Sequence, residues 1–261
     1  MLIGELAFYG LVGAVAAVAF VGSALWTRRH TGARLRYTLV APYVTGALAL
    51  GYVGMSGEVL TLVAANGRPV PVSRFLVYLL TYTVVVGYVG LLADADRRTT
   101  LLGCGCIVGF VLATMLNWLF PAPVGTVGKA VTLVSIVGLL WILFRPLTRA
   151  AADVSGPRRL AFGKLRNLMA LLILGYLVVG LTSRQGLGLL DAFTGVYVGG
   201  YLDVMGHLGF AAIVLRSADA MEELAADRAS PLAYVRGGHS AVSGGSGDAD
   251  IDIDTDPEGG D

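Results

Sequence analysis

The chain has 261 residues, of which 56% are apolar and only 14% charged, with a formal net charge of +1 and a mean hydropathy of +0.73. This composition excludes an ordinary water-soluble domain and offers no basic excess for binding nucleic acid; it belongs to a protein whose solvent is lipid.

A helix that crosses a bilayer needs about 20 predominantly apolar residues. Runs of that kind lie near residues 6 to 27, 37 to 62, 75 to 93, 99 to 120, 127 to 148, 164 to 183 and 192 to 215. They predict an all-α membrane protein of seven spans. The first run lacks a basic leader and is followed by WTRRH, so it reads as a retained helix, not a cleaved signal. The third carries Arg74, Tyr78, Thr81 and Tyr88 on roughly one face, with Tyr82 beside them. The fourth holds Cys104 and Cys106, which point about 200° apart around a helix and so read as packing residues and not as a bridge or metal pair. Its end is marked by Asn117, Trp118, Pro121 and Pro123. GxxxG spacings at Gly105 to Gly109 and at Gly195 to Gly199 predict close helix contacts on the fourth and seventh spans.

The seventh span contains the segment YLDVMGHLGF, whose two ionisable side chains, Asp203 and His207, are four residues apart and so share a helix face. A charge at membrane depth is costly and is usually paired or borders a watery path. The expected arrangement is Asp203 answered by His207, by Arg74 from the third span and by Tyr176 from the sixth. It reads either as a structural network that fixes helix register or as a proton-sensitive switch, since histidine titrates near neutrality.

Charge placement predicts the orientation. The segments that follow the first, third, fifth and seventh spans hold 15 of the 19 basic residues, which puts the N-terminus outside and the C-terminus in the cytoplasm. The boundary expected from composition is a membrane domain over residues 1 to 217 and a polar, acidic cytoplasmic tail over 218 to 261. The tail begins with a stretch able to continue as a polar, partly amphipathic helix and ends Gly-, Ser- and Asp-rich, with too few apolar residues to fold. Its aspartates lack the central Gly and terminal Glu spacing of a calcium loop.

The seventh span, YLDVMGHLGFAAIVLRS, resembles the last helix of the microbial rhodopsins, closest to the bacteriorhodopsin branch. LLADAD at 91 to 96 resembles the end of the family's third helix, and FGKLRN at 162 to 167 the start of its sixth. The resemblance covers all seven spans and implies a rhodopsin-like bundle. It also implies residue roles. His207 stands where the family carries its retinal-linked lysine, Arg74 on the helix-three arginine, Val77 on the proton-accepting aspartate and Tyr88 on the proton donor. Asp203 matches the second counter-ion and Tyr176 its tyrosine partner. Tyr78 and Thr81 stand for a tryptophan and a threonine beside the chromophore, Ile173 and Gly180 for tryptophans against it, and Leu177 for a kinking proline.

Imidazole cannot form the stable imine that retinal requires. The expectation is therefore no covalent cofactor, no light-driven pumping and no enzyme activity, for which nucleophile, metal cluster and phosphate loop are all lacking in the sequence. What remains is a regulatory or partner-binding protein of the cell membrane, acting on a membrane partner such as an enzyme of carotenoid or retinal synthesis or a transducer, or on a second copy of itself. The alternative is a residual photoreceptor or transporter that holds retinal, a carotenoid or another apolar ligand non-covalently.

Overall fold

The computed structural model of the chain describes residues 4–65, 67–183 and 186–227. Seven helices are long and apolar enough to cross a membrane. In chain order the elements are α1 (Glu5–Thr27), α2 (Ala33–Thr38), α3 (Val40–Ser56), β1 (Thr61–Val63), β2 (Pro69–Pro71), α4 (Val72–Leu92), α5 (Arg97–Leu119), α6 (Val124–Phe144), α7 (Pro146–Ala150), α8 (Gly156–Thr182), α9 (Ala192–Arg216) and α10 (Ala218–Asp227). Side chains that look outward are apolar: Leu50, Val18 and Val134 are each more than 70% exposed. Acyl chains solvate such a surface without penalty, whereas water would not.

Helix limits follow local chemistry. Asp96 caps α5 by accepting from the Thr99 amide at 2.9 Å, and Asp191 caps α9 by accepting from the Thr194 amide at 2.7 Å. Ser155 caps α8, with a proline in its first turn, so that helix begins well before residue 164, where hydropathy alone starts it. The cap and the Gly-Pro pair lie outside the apolar run and carry the start signal. The second span ends at Ser56 instead of running to 62. Glu58 and Leu60 take left-handed backbone angles, φ 55° and 57°, and the chain then forms a hairpin in which Thr61 to Val63 pair antiparallel with Pro71 to Pro69. The Ala65 amide donates to the Leu119 carbonyl at 3.3 Å, tying this hairpin end of the bundle to α5.

The other end is closed by α10. Residues 218–227, counted with the polar tail from composition, form a helix whose Ala220, Met221 and Leu224 are buried. The buried Arg158 of α8 donates to Asp227 at 2.7 Å and to the Leu91 carbonyl at 3.2 Å, Ser155 donates to Glu223, and Tyr88 donates to the Tyr37 carbonyl at 3.2 Å and contacts the Met221 sulfur. The Gly-, Ser- and Asp-rich stretch expected not to fold, 237 to 261, lies outside the described residues.

Arg158→Ala is expected to undock α10. Amide exchange over 218–227 should rise at least about tenfold while the spans stay protected, because the buried guanidinium ties the end of α10 both to α8 and to the Leu91 carbonyl; unchanged protection would mean that burial of Met221 and Leu224 suffices. Asp96→Ala should cost about 1 kcal/mol of stability. Hydrogen bonds from Thr99 hold the Asp96 carboxyl below its ordinary range. The cap's contribution is therefore present above the ordinary carboxylate value and is lost as pH falls through the depressed one, which thermal melts of the two proteins at pH 7 and pH 3 would reveal.

Candidate functional site

Three spans place polar side chains on one carboxylate of a fourth. Asp203, on α9, is fully buried. Its Oδ1 accepts from Tyr78 of α4 at 2.7 Å and from Tyr176 of α8, and its Oδ2 accepts from Tyr52 of α3 and from Arg74 of α4, the latter at 3.2 Å. Arg74 also donates to the Tyr52 oxygen at 3.2 Å. Three phenols and a guanidinium thus share one carboxylate, which satisfies the acceptor capacity of both oxygens. Tyr78 belongs to the polar strip of the third span that the sequence turns toward Asp203, whereas Tyr52 was missed entirely. Its only signal was a lone phenol in the run LALGYVGM, with nothing local to aim it at residue 203.

The expected contact between the Asp203 carboxylate and His207 is not made. The His207 ring turns to the backbone: Nδ1 lies 2.8 Å from the Asp203 carbonyl oxygen, and Nε2 lies 3.0 Å from the Thr81 hydroxyl. A carbonyl only accepts, so Nδ1 carries a proton; the Thr81 hydroxyl lies 2.7 Å from the Val77 carbonyl as well as 3.0 Å from Nε2, and in the neutral ring these two acceptors share its one proton. The i, i+4 spacing does bring residues 203 and 207 onto one face, but the nearer acceptor for the imidazole is the carbonyl one turn back. His207 is thereby sealed, at 1% exposure, beneath Tyr82, whose ring centre is 5.2 Å away. The Tyr82 hydroxyl meets that of Tyr176 at 3.1 Å, and Tyr78, Tyr82 and Tyr176 pack ring against ring at centroid distances from 5.4 to 6.4 Å.

The other residues singled out in the sequence divide by location. Val77 is buried among apolar side chains of α1, α3 and α9, so close to Gly51 that a Cβ there would lie 2.1 Å from its Cγ2. Tyr88, grouped by helical phase with Arg74, is at the α10 end and takes no part in the Asp203 cage. Ile173 is buried in the core. Gly180 borders a cavity of about 420 Å³ at the hairpin end, walled by Phe75, Phe110, Trp118, Ile136 and Leu177 and reached by Arg74, Tyr78 and Tyr176. Of the glycines expected to pack helices, Gly109 meets Ser135 of α6 and Gly199 makes room for the Arg74 guanidinium, whereas a Cβ on Gly105 or Gly195 would touch nothing. Gly195 is a wall of the same cavity, not a close-packing site. Both cysteines are free, with the Cys104 thiol 3.6 Å from the Thr83 carbonyl.

Retinal, the group that the resemblance implies, has no lysine to join at position 207. The only lysines in the chain are Lys129 on α6, which borders the cavity, and Lys164 on α8, and the seventh span offers no primary amine. His207 has both nitrogens engaged and does not border the cavity; Tyr82 packs against its ring, and Leu172 closes on the neighbouring Gly206.

Residues 4–221 match the family model described as bacteriorhodopsin-like protein. The chain is 35% identical to sensory rhodopsin-2 of Halobacterium salinarum, over 84% of its own length and 92% of the relative's. To sensory rhodopsin-2 of Natronomonas pharaonis it is 28% identical, over 86% and 92%. In fold it is similar to thermophilic rhodopsin from Rubrobacter xylanophilus, with a TM-score of 0.79 at 18% identity, covering 85% of this chain and all of that one.

Removing either member of the buried ion pair is expected to cost about 3–5 kcal/mol, since the other is left charged and unanswered. Asp203→Asn with Arg74→Met should therefore cost clearly less than the sum of the single changes in detergent unfolding. Asp203→Asn with His207→Phe should show at most half that coupling, because their side chains do not touch. A stronger coupling to His207 than to Arg74 would contradict the cage geometry.

Proposed function

The chain belongs to the bacteriorhodopsin-like family of microbial rhodopsins, and from that premise we propose that it is an opsin-related protein that has left light-driven pumping and acts as a regulatory, partner-binding protein of the membrane. Members of the family bind retinal, as a rule covalently, and are photoreceptors, pumps or sensors, not enzymes. The observation that carries the reading is the state of His207: it is no amine, both its nitrogens are engaged, and it is shut away from the nearest cavity. Two further features support it. At the position that the resemblance gives to a proton acceptor, Val77 sits in an apolar cluster and brings no carboxylate, and Tyr88 is spent on the α10 contact. Proton pumping by the family's scheme would need carboxylates at both stations.

Two relatives reported above carry the name sensory rhodopsin, which is consistent with a signalling role. The partner of this reading is a membrane protein, such as an enzyme of carotenoid or retinal synthesis or a transducer, or a second copy of the chain. Gly105 supports such a contact from its outward face on α5, where a neighbouring helix would find open space. The Arg-rich end bearing α10 is assigned to the cytoplasm on charge grounds. One observation favours the second reading, non-covalent binding of retinal, a carotenoid or another apolar ligand: the cavity of about 420 Å³ beside Gly180 is within the size range of small-molecule sites.

The purified protein mixed with all-trans retinal is expected to show no strongly red-shifted band, and borohydride should leave no retinyl adduct on α9. His207→Lys alone should give at most a weak pigment, because Asp203 is already claimed by Arg74; adding Val77→Asp supplies a second counter-charge and should strengthen the visible band. A covalent visible pigment in the unmodified protein would overturn the proposal. For the partner, pull-down from native membranes should recover a second membrane protein or a dimer that Gly105→Leu diminishes. Isolated monomers alone would count against it.

A further inference from the structure

At the Arg-rich end, the turn between α1 and α2 and the C-terminal helix α10 frame a second cavity of about 420 Å³. Arg29, His30, Thr31 and Arg34 form one side, and Glu222 with two alanines of α10 the other. Two nitrogens in this wall, His30 Nε2 and Arg34 Nε, are cut off from solvent and have no hydrogen-bond partner among the described residues. Buried donors in folded proteins are nearly always satisfied by protein, water or a bound group. Charge is also out of balance. Two guanidinium groups face one carboxylate, Glu222, because the neighbouring acids of α10 are already engaged: Asp227 with Arg158 and Glu223 with Ser155. Burial and the adjacent Arg34 hold the His30 imidazole below its ordinary range; its Nε2 donates in the tautomer that carries the proton there, whereas the Arg34 Nε is a donor in every state.

The missing component is therefore an anion that presents several acceptor oxygens in different directions to a fixed set of donors. A tetrahedral phosphate does so, and guanidinium groups match its geometry. The location specifies the source further. Arg29 lies 6.0 Å from the centre of the Trp26 ring, at the end of the first span, and tryptophan at a span's end marks the depth of lipid headgroups.

We propose that the cavity between the α1–α2 turn and α10 is a phosphate site, filled from the membrane by the headgroup of an anionic phospholipid or from solution by free phosphate. An occupant on the Arg29, His30 and Arg34 wall sits directly against α10, on the side opposite its anchors to Ser155 and Arg158. It clamps the C-terminal helix between the bundle and the bilayer surface, and makes the docking of α10 depend on what the membrane contains.

The test is isothermal titration of the full chain in an uncharged detergent with three probes: dihexanoyl phosphatidylglycerol, dihexanoyl phosphatidylcholine and inorganic phosphate. Saturable binding of phosphatidylglycerol at one per chain is expected, weakened about tenfold or more by Arg29→Gln with Arg34→Gln and left unchanged by Arg97→Gln with Arg98→Gln, a basic pair outside the cavity. Arg34→Lys keeps the charge but removes the Nε donor, and should fall between; it serves as the readout if the double variant does not fold by circular dichroism. Phosphate binding weaker than that of the lipid identifies the membrane as the source, and equal binding identifies solution; either supports the site. Equal affinity for phosphatidylcholine, or equal weakening by both arginine pairs, overturns it by showing unspecific surface charge. Lack of saturable binding also overturns it, including where deletion of residues 241–261 uncovers binding, since the occupant is then the chain's own carboxylates.

Discussion

One carboxylate inside a hydrocarbon layer governs this structure. An ionised Asp203 on a lone helix at that depth would cost several kcal/mol, so the helix that carries it is stable only when other helices bring donors to it. Those donors come from α3, α4 and α8, one residue each from the first and last and two from α4. Lipid gives helices no hydrophobic reason to associate, because acyl chains are as apolar as leucine; polar contacts and close packing set the arrangement instead. The Asp203 cage is thus a register pin. It fixes the rotation of four spans about their axes, and the tyrosine cluster and the Gly199 gap for the guanidinium follow from that choice.

The same pin explains why His207 behaves as it does. With the carboxylate claimed by stronger and better-placed donors, the imidazole one turn along the same helix is left with the carbonyl of residue 203 and the hydroxyl of Thr81. Both are fixed parts of rigid helices, so the ring is held in one orientation. Imine chemistry at position 207 is removed by the identity of the side chain, which has no primary amine, and the lone pair and proton that an imidazole does have are both turned to helix groups.

Much of this was legible in the sequence because bilayer thickness imposes a length on every span. Seven apolar runs gave seven helices, and helical phase alone put Arg74 and Tyr78 on the face that reaches α9. Tertiary distance was not legible. Tyr52 is 151 residues from Asp203 in the chain, and no local pattern distinguishes a phenol that points at a buried acid from one that points at lipid. The hairpin of β1 and β2 was hidden for a different reason. Only Ser56 and Glu58 interrupt the apolar residues before β1, so hydropathy merges its start with α3, while β2 falls between the runs; the decisive event is the left-handed backbone at Glu58 and Leu60. The helix α10 was foreseen as a helix but not as a docked one, since only three small or flexible apolar residues mark its buried side, and the groove that receives them belongs to α2 and α8.

The two ends of the bundle differ in a way that bears on what kind of work the protein can do. Arg74, Tyr78 and Tyr176 border the cavity at the hairpin end. At the other end, Tyr88, Tyr37 and Met221 meet over a core that includes Leu92, Phe210 and Val214. Of the two cavities described, only the one at the hairpin end is bordered by members of the Asp203 cage. A small molecule or ion entering it would meet the donors of Asp203 directly. What fills that cavity would therefore act on the same side chains that hold four spans in register.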